Sequence, residues 1–392
     1  MAAGEIRRIK VQGFRSLADV DVHLGRLTVL VGPNGSGKTN ALNVLRLLAA
    51  TIRFDLVFAV EEFGGFERIL RDDGQAQKIR IEVEAIVTEH ANQRALDRYS
   101  LEVSERRRAL WRQEEFTFKR VSGPGRRITV SGSTVNIAAQ RKGAKATQLE
   151  LADEQTTGLS MLPKLSAGQG GEGIDEFARF VSSLRVLEPD VTAARSPSRL
   201  YGSPLASDAS NLADALLRLS EEYPESFGRL VRDLRACLPG VDTVTFAALG
   251  GSSRSVVAQV KETGLLHAVD LADVSFGTVR LLALLTALHE PDPPPFTAVE
   301  EIDHGLHPYA LDVVVDALRS ASDRTQLLVT THSPTLVNRL KPREIVVCDR
   351  DPESGASLIP AASPEAIDTA ATSSDLRLGE LWFSGAIGGV PV

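Results

Sequence analysis

The chain has 392 residues, 43% hydrophobic and 24% charged, which suits a soluble globular protein of two or three domain-sized units. Its longest apolar runs, such as Leu281–Leu285, are far too short to span a bilayer, which excludes an integral helical membrane protein. The net charge of −7 is uneven: residues 105–145 hold eleven Lys/Arg against three acids, a segment at +8 in a remainder at −15. Such asymmetry points to a polyanionic partner.

The first residues, Met1-Ala2-Ala3-Gly4-Glu5, lack the basic-then-apolar layout of a signal peptide. Two cysteines, Cys237 and Cys348, have no metal-ligand spacing and are expected as reduced thiols in a cytoplasmic protein.

Glu5 to Val11 predicts a strand, Gly13-Phe14-Arg15-Ser16-Leu17 a turn, and Val20 to Leu24 a second, alternating strand. Leu27 to Val31 predicts a buried strand. Next comes Gly32-Pro33-Asn34-Gly35-Ser36-Gly37-Lys38-Thr39-Asn40, then Ala41 to Leu48 at helical spacing. This is G-x-x-x-x-G-K-T in the setting it requires, strand before and helix after. Glycines let the backbone curl so that its N–H groups face a phosphate chain, and the new helix points its positive end there. Asn34, Gly35, Ser36, Gly37, Lys38, Thr39 and Asn40 are therefore the expected nucleotide cradle. Lys38 would reach the β- and γ-phosphates, and the Thr39 hydroxyl would hold Mg²⁺. ATP and Mg²⁺ are the expected ligands.

Lys78 to Val87 predicts a strand, and 99–138 stays strand-like, broken at Ser122-Gly123-Pro124-Gly125. Residues 140–173 read as a polar loop, and Ile174 to Leu187 as an amphipathic helix. Ala194 to Ser210 reads as loop, Asn211 to Leu219 and Glu225 to Cys237 as helices, Thr243 to Phe246 and Ser255 to Val260 as short strands. A helix from Gly277 to His289 stops at the proline cluster 291–295. Phe296 to Val299, Gln326 to Val329 and Glu344 to Cys348 read as strands, Leu311 to Ser320 and Pro334 to Arg339 as helices. Strand–helix alternation thus occupies both ends, with a mixed, partly all-β middle. The expected fold is α/β, a P-loop NTPase head with a mixed sheet and flanking helices, split by a β-rich and helical insertion. Its expected divisions are 1–90, 91–264, 265–350 and a tail at 351–392.

Three later stretches complete the expected site. Val299-Glu300-Glu301-Ile302-Asp303 ends a strand in carboxylates, with Glu300 as the metal-side acid and Glu301 as the group that orients or deprotonates water. His332, in Thr330-Thr331-His332-Ser333-Pro334, stands where ligands bind in open α/β sheets and could bond the γ-phosphate. Ser275 and Gly277, in Val274-Ser275-Phe276-Gly277-Thr278-Val279-Arg280, open a helix and form a second anion site. A simple serine cap, about 1 kcal/mol of helix stability, is the plainer alternative.

In this order, with Phe14-Arg15-Ser16 and Glu300-Glu301-Ile302-Asp303-His304-Gly305-Leu306-His307-Pro308, the motifs resemble the RecF/SMC/OLD branch of ABC-type ATPases. The likeness is greatest to stand-alone bacterial ATPases of AAA, AbiEii type, and the tail 378–389 resembles their ending. The resemblance spans roughly 1–90 and 265–350 and implies an ATP-dependent, head-to-tail homodimer. Lys38 and Thr39 of one subunit would face Ser275 and Gly277 of the other, Glu301 would position water, and His332 would sense the γ-phosphate. Two positions depart from the pattern: Glu300 stands where many relatives have Asp, and Phe276 where a small or acidic residue is usual. Gln75 and Gln77 lie near the region of the glutamine that bridges Mg²⁺ to the second lobe, and neither is assigned. Ser275 follows Lys38 by 237 residues, an interval resembling RecF and unlike transporter motors. With 44 residues after Cys348, a TOPRIM nuclease domain is not expected.

In the basic segment, Arg106, Arg107, Arg108, Arg112, Lys119, Arg120, Arg126 and Arg127 are candidate DNA contacts, with Trp111, Phe116 and Phe118 for stacking. The alternative is a solvated face of a β-rich lobe with those aromatics in its core. The tail residues Leu381, Trp382, Phe383 and Ile387 either pack back on the head or dock a partner. Two functions stay open: an ATPase acting on DNA in repair or phage defence, and a nucleotide-gated scaffold controlling a separate nuclease or toxin.

Overall fold

Four short apolar runs, Leu27–Val31, Phe296–Val299, Gln326–Thr331 and Ile345–Val347, become neighbours in one parallel sheet, with Arg185–Leu187 at its far edge. The strand order is 185–187, 296–299, 326–331, 27–31, 345–347, every pair parallel. The structure is a computed structural model describing residues 4–119, 125–138, 146–151, 153–166, 169–250 and 254–389.

A parallel sheet must be covered on both faces, so its strands carry apolar residues in both registers. Leu30, Ala298 and Leu328 join a core with the helix Lys38–Arg53 and a second sheet. Val29, Val31, Val299, Leu327 and Val329 join another core with the helices Phe276–His289 and Leu311–Ser322. The chain direction that buries these faces also brings all five carboxyl ends to one side.

The second sheet is antiparallel and eight-stranded, in the order 17–23, 5–14, 78–86, 97–106, 109–118, 126–131, 134–137, 147–150. It crosses position 91 without a break, because Lys78–Ile86 pairs with Asp97–Arg106. A smaller sheet joins Ser198–Arg199, Ser255–Glu262 and Val241–Leu249. The fully buried Gln326 ties the two large sheets: Ile6 N donates to its Oε1 at 2.8 Å, and its Nε2 donates to Ile6 O at 2.7 Å. Each end of that amide is satisfied, which a buried polar side chain requires.

Several elements differ from expectation. The helix expected over 174–187 spans Gly171–Ser182, and Arg185–Leu187 is instead the edge strand of the parallel sheet. Pairing with Thr297, Ala298 and Val299 overrides the helical spacing there. The region expected as loop holds the strand Thr147–Glu150 and the short helix Gly158–Met161. Ile345–Val347 is not the last strand: a hairpin of Asp349–Arg350 with Ser357–Leu358 follows. The tail packs back on the head, with Leu381, Trp382 and Ile387 buried and Phe383 left 74% exposed.

The basic segment also needs correction. Arg112 is fully buried and pairs with buried Glu114 at 3.1 Å, and Arg126 is buried too, so neither is a surface contact. Inward-pointing alternation is the cause: residues 112, 114 and 116 share the register of Phe116, which packs on Tyr99 at 4.8 Å. Arg106, Arg107, Arg108, Lys119 and Arg127 are exposed. Arg106 lies over Trp111 at 4.5 Å, and Arg127 is engaged by Glu115 at 2.9 Å. Arg120 lies outside the described residues. No helix among the described residues is long and apolar enough to cross a membrane.

Candidate functional site

The loop 32–37 leaves the carboxyl end of Leu27–Val31 and opens the helix Lys38–Arg53. Gly37, at φ 99, is a left-handed N-cap, and no side chain caps the helix, so its first amides stay open to an anion. Gly32 is demanded by contact: a Cβ there would stand 2.4 Å from Cys348 O on the next strand. The Ser36 hydroxyl is buried beneath the loop without a hydrogen-bond partner.

Lys38 is buried and curls onto its own loop, donating from Nζ to Gly32 O at 2.7 Å and Pro33 O at 2.8 Å. Burial pushes its pKa down, and the carboxylates of Glu301, Asp303 and Glu300 oppose that shift. Thr39 donates from Oγ1 to Glu300 Oε1 at 2.5 Å, joining two residues 261 positions apart. Arg46, two turns along the same helix, reaches Glu188 at 2.5 Å and Glu300 at 3.7 Å.

The acids sit at the end of Phe296–Val299, beside Gln326–Thr331. Glu301 has φ 45, a strained geometry for a residue with a Cβ, worth about 1–3 kcal/mol. Its N–H is held by Thr330 Oγ1 at 2.8 Å, and Ile302 N by Thr330 O at 3.1 Å. His304 Nδ1 stands 3.4 Å from its carboxylate. Asp303 accepts from the Thr331 hydroxyl.

Of these groups Gly37, Lys38, Thr39, Glu301 and Thr330 line a cavity of about 380 Å³ that also takes in Ser16, Asn34, Gly35, Asn40 and Arg350. Asn40 bonds Ser16 Oγ at 2.8 Å at its edge. His332, exposed in the turn after Gln326–Thr331, lines the adjoining cavity of about 410 Å³ with Asn34, Trp382 and Phe383. Gln75 and Gln77 line a separate cleft beside Arg71 and Lys78.

Ser275 and Gly277 do not line the Lys38 cavity. Ser275 caps its helix, accepting from Thr278 N at 3.2 Å, and is exposed. Gly277 packs against the loop after the acids, where a Cβ would meet Gly305 O at 2.4 Å. Arg280 links this helix to the acids, donating from Nη2 to Glu300 O at 2.9 Å and Glu301 O at 3.0 Å.

Sequence reasoning did not single out Arg46, Glu188 or Arg350. Arg46 is seven residues beyond Thr39, two turns on and hence on its helix face, a findable signal. Glu188 was hidden because its strand reads as the end of a helix. Arg350 sits in a hairpin of two-residue strands that no periodicity marks.

Two family models match the chain. One, described as "AAA ATPase domain", matches residues 5–154, and the other, described as "AAA domain, putative AbiEii toxin, Type IV TA system", matches residues 239–338. The first match contains the phosphate loop; the second contains Ser275, both acids and His332. The chain is 45% identical over 47 residues to the OLD nuclease of Thermus scotoductus, 12% of this chain and 9% of that protein. It therefore spans under a tenth of that relative's length. Among solved structures it is similar to the Smc head domain with an extended coiled coil bound to the C-terminal domain of ScpA, from Pyrococcus furiosus. There the TM-score is 0.55 at 14% identity, covering 94% of this chain and 99% of that one. A SmcHead bound to the C-winged helix domain of ScpA gives 0.52 at 14% identity, covering 91% and 96%. At that identity the likeness is one of fold.

Proposed function

We propose that this chain, a member of the RecF/SMC/OLD-like ABC-type ATPases, binds ATP with Mg²⁺, closes a head-to-tail homodimer on binding it, and reopens by slow hydrolysis. The observation that carries this reading is the meeting of Lys38, Thr39, Glu300 and Glu301 at the ends of neighbouring parallel strands. Ligands of open α/β sheets bind at those ends.

The residues fit the implied metal. A hydroxyl and a carboxylate, Thr39 and Glu300, already converge at 2.5 Å and are hard oxygen donors suited to Mg²⁺. Bound there, the ion supplies neutralisation of phosphate charge. Lys38, released from its loop carbonyls, adds a cation, and the uncapped helix amides receive anionic oxygens. Glu301, held by Thr330 and half exposed to the cavity, orients a water and takes its proton. Its strained backbone is the kind kept where a side chain must be aimed.

Ser275 and Gly277 do not line their own subunit's cavity, and Ser275 is exposed, which supports their service to a second copy. His332 beside Asn34 would read the γ-phosphate. ATP binding then shifts the population toward the closed pair, through its differential affinity for that state. The work of that closure is on DNA, in repair or anti-phage defence, with the exposed Arg106, Arg107 and Arg108 as candidate contacts.

One observation favours a second reading, a gated scaffold with little turnover that restrains a separate effector. Phe276, next to the signature serine, is 45% exposed with its ring 5.7 Å from His304, a bulky group where a partner phosphate would approach. The test is light scattering of the Glu301→Gln protein with and without ATP-Mg²⁺. A dimer only with nucleotide is expected; a monomer under both conditions overturns the proposal. DNA-stimulated hydrolysis by the unaltered protein separates the first reading from the second.

A further inference from the structure

The phosphate cavity has a wall that none of the recognised motifs supplies. Directly after Ile345–Val347 comes the hairpin in which Asp349–Arg350 pairs with Ser357–Leu358. Because Ile345–Val347 runs parallel to Leu27–Val31, the hairpin emerges beside the phosphate loop. It is fastened from both sides. Ser357 N donates to Ser16 O at 2.8 Å, Ser357 Oγ bonds Ser16 Oγ at 2.7 Å, and Gly389 N donates to Asp349 Oδ2 at 3.0 Å. The seat is close: a Cβ on Gly37 would stand 2.0 Å from Ser357 Oγ.

Arg350 is the cation this hairpin brings to the cavity. Its Nε donates to Gly355 O at 3.2 Å, which fixes the guanidinium plane. Its Nη1 lies 3.8 Å from where a Cβ on Gly35 would be. Among the described residues no carboxylate pairs with it, and neither terminal nitrogen has a hydrogen-bond partner. A guanidinium held by Nε, with both terminal nitrogens open over a loop of backbone amides, is built for two-point binding of phosphate oxygens. Lys38, by contrast, is occupied by its own loop.

We propose that Arg350 binds the phosphate chain of the nucleotide held by its own subunit, as the second cation of the site. This rests on the nucleotide-binding reading above. The test is titration of the full-length chain with N-methylanthraniloyl-ATP and Mg²⁺. Arg350→Ala is expected to weaken binding about ten- to hundredfold, the loss of a charged hydrogen-bonding pair, and Arg350→Lys to weaken it less. Unchanged binding in Arg350→Ala, with binding lost in Lys38→Ala, overturns the role of Arg350 and leaves the nucleotide site standing. Unchanged binding in Lys38→Ala as well removes the site itself. Should a variant fail to fold, the unaltered protein answers by mass spectrometry. Saturating ATP should protect Arg350 from phenylglyoxal, and equal modification with and without ATP overturns the proposal.

Discussion

Arginine, carboxylate and hydroxyl meet at two places in this molecule, with opposite results. Inside the antiparallel sheet, Glu114 accepts from Tyr99 at 2.9 Å and Gly158 N at 2.7 Å and pairs with Arg112, which donates to Gly132 O at 2.7 Å. Nothing there meets solvent: Arg112 is 0% exposed, Tyr99 and Glu114 1% each. At the ends of the parallel strands, Thr39, Glu300, Arg46 and Glu188 form a similar chain, of which Thr39 lines a cavity. The closed set fixes the 153–158 turn to the sheet. The open set keeps capacity for a ligand. Closure, more than residue type, separates the buried set from the open one.

The comparison sharpens into three measurements. Glu301→Gln should lower ATP hydrolysis by about two to four orders of magnitude while ATP binding persists, since it removes a general base and leaves the cradle intact. Parallel loss of binding would mean that Glu301 shapes the cavity instead. Next, Glu114→Leu should cost about 3–5 kcal/mol in chemical denaturation by leaving Arg112 as an uncompensated buried charge. The double change Arg112→Met with Glu114→Leu should recover only part of that loss, because it removes the unpaired buried charge but leaves Tyr99 Oη and Gly158 N without their acceptor. If the double variant is no better than the single one, the closed network is more than an internally satisfied pair. Smallest on stability is reversal of Arg106, Arg107 and Arg108 to Glu, expected to cost about 1 kcal/mol because all three are exposed and only the stacking of Arg106 on Trp111 is lost. Its duplex-DNA affinity, measured against salt concentration, should fall without change in ATP binding. Unaltered affinity would remove this turn as the contact surface.

The phosphate loop was legible because most of its demands are local, as in the positive φ of Gly37, whereas the approach of Gly32 to Cys348 on the next strand could not be read from sequence. The position of the acids at the end of Phe296–Val299 was legible because a short apolar run stops there at two carboxylates. Arg185–Leu187 was not legible, since three residues carry no period and their partner strand lies more than 100 positions away. Charge counting also misread Arg112 and Arg126. A count cannot see which way a strand faces, although the inward register of Phe116 already assigns residues 112 and 114 to the core.

Arg280 has a further consequence. One guanidinium nitrogen clamps the peptide oxygens of both acids, Glu300 and Glu301, and its helix begins at the solvent-facing Ser275. Ser275 and the backbone of both acids are therefore joined through one helix. A tilt imposed on the serine end by a neighbouring molecule would pass through about one turn of helix to the backbone of Glu301, the residue proposed above to activate water. Timing of bond cleavage would then follow mechanical engagement at the surface, with no separate messenger needed.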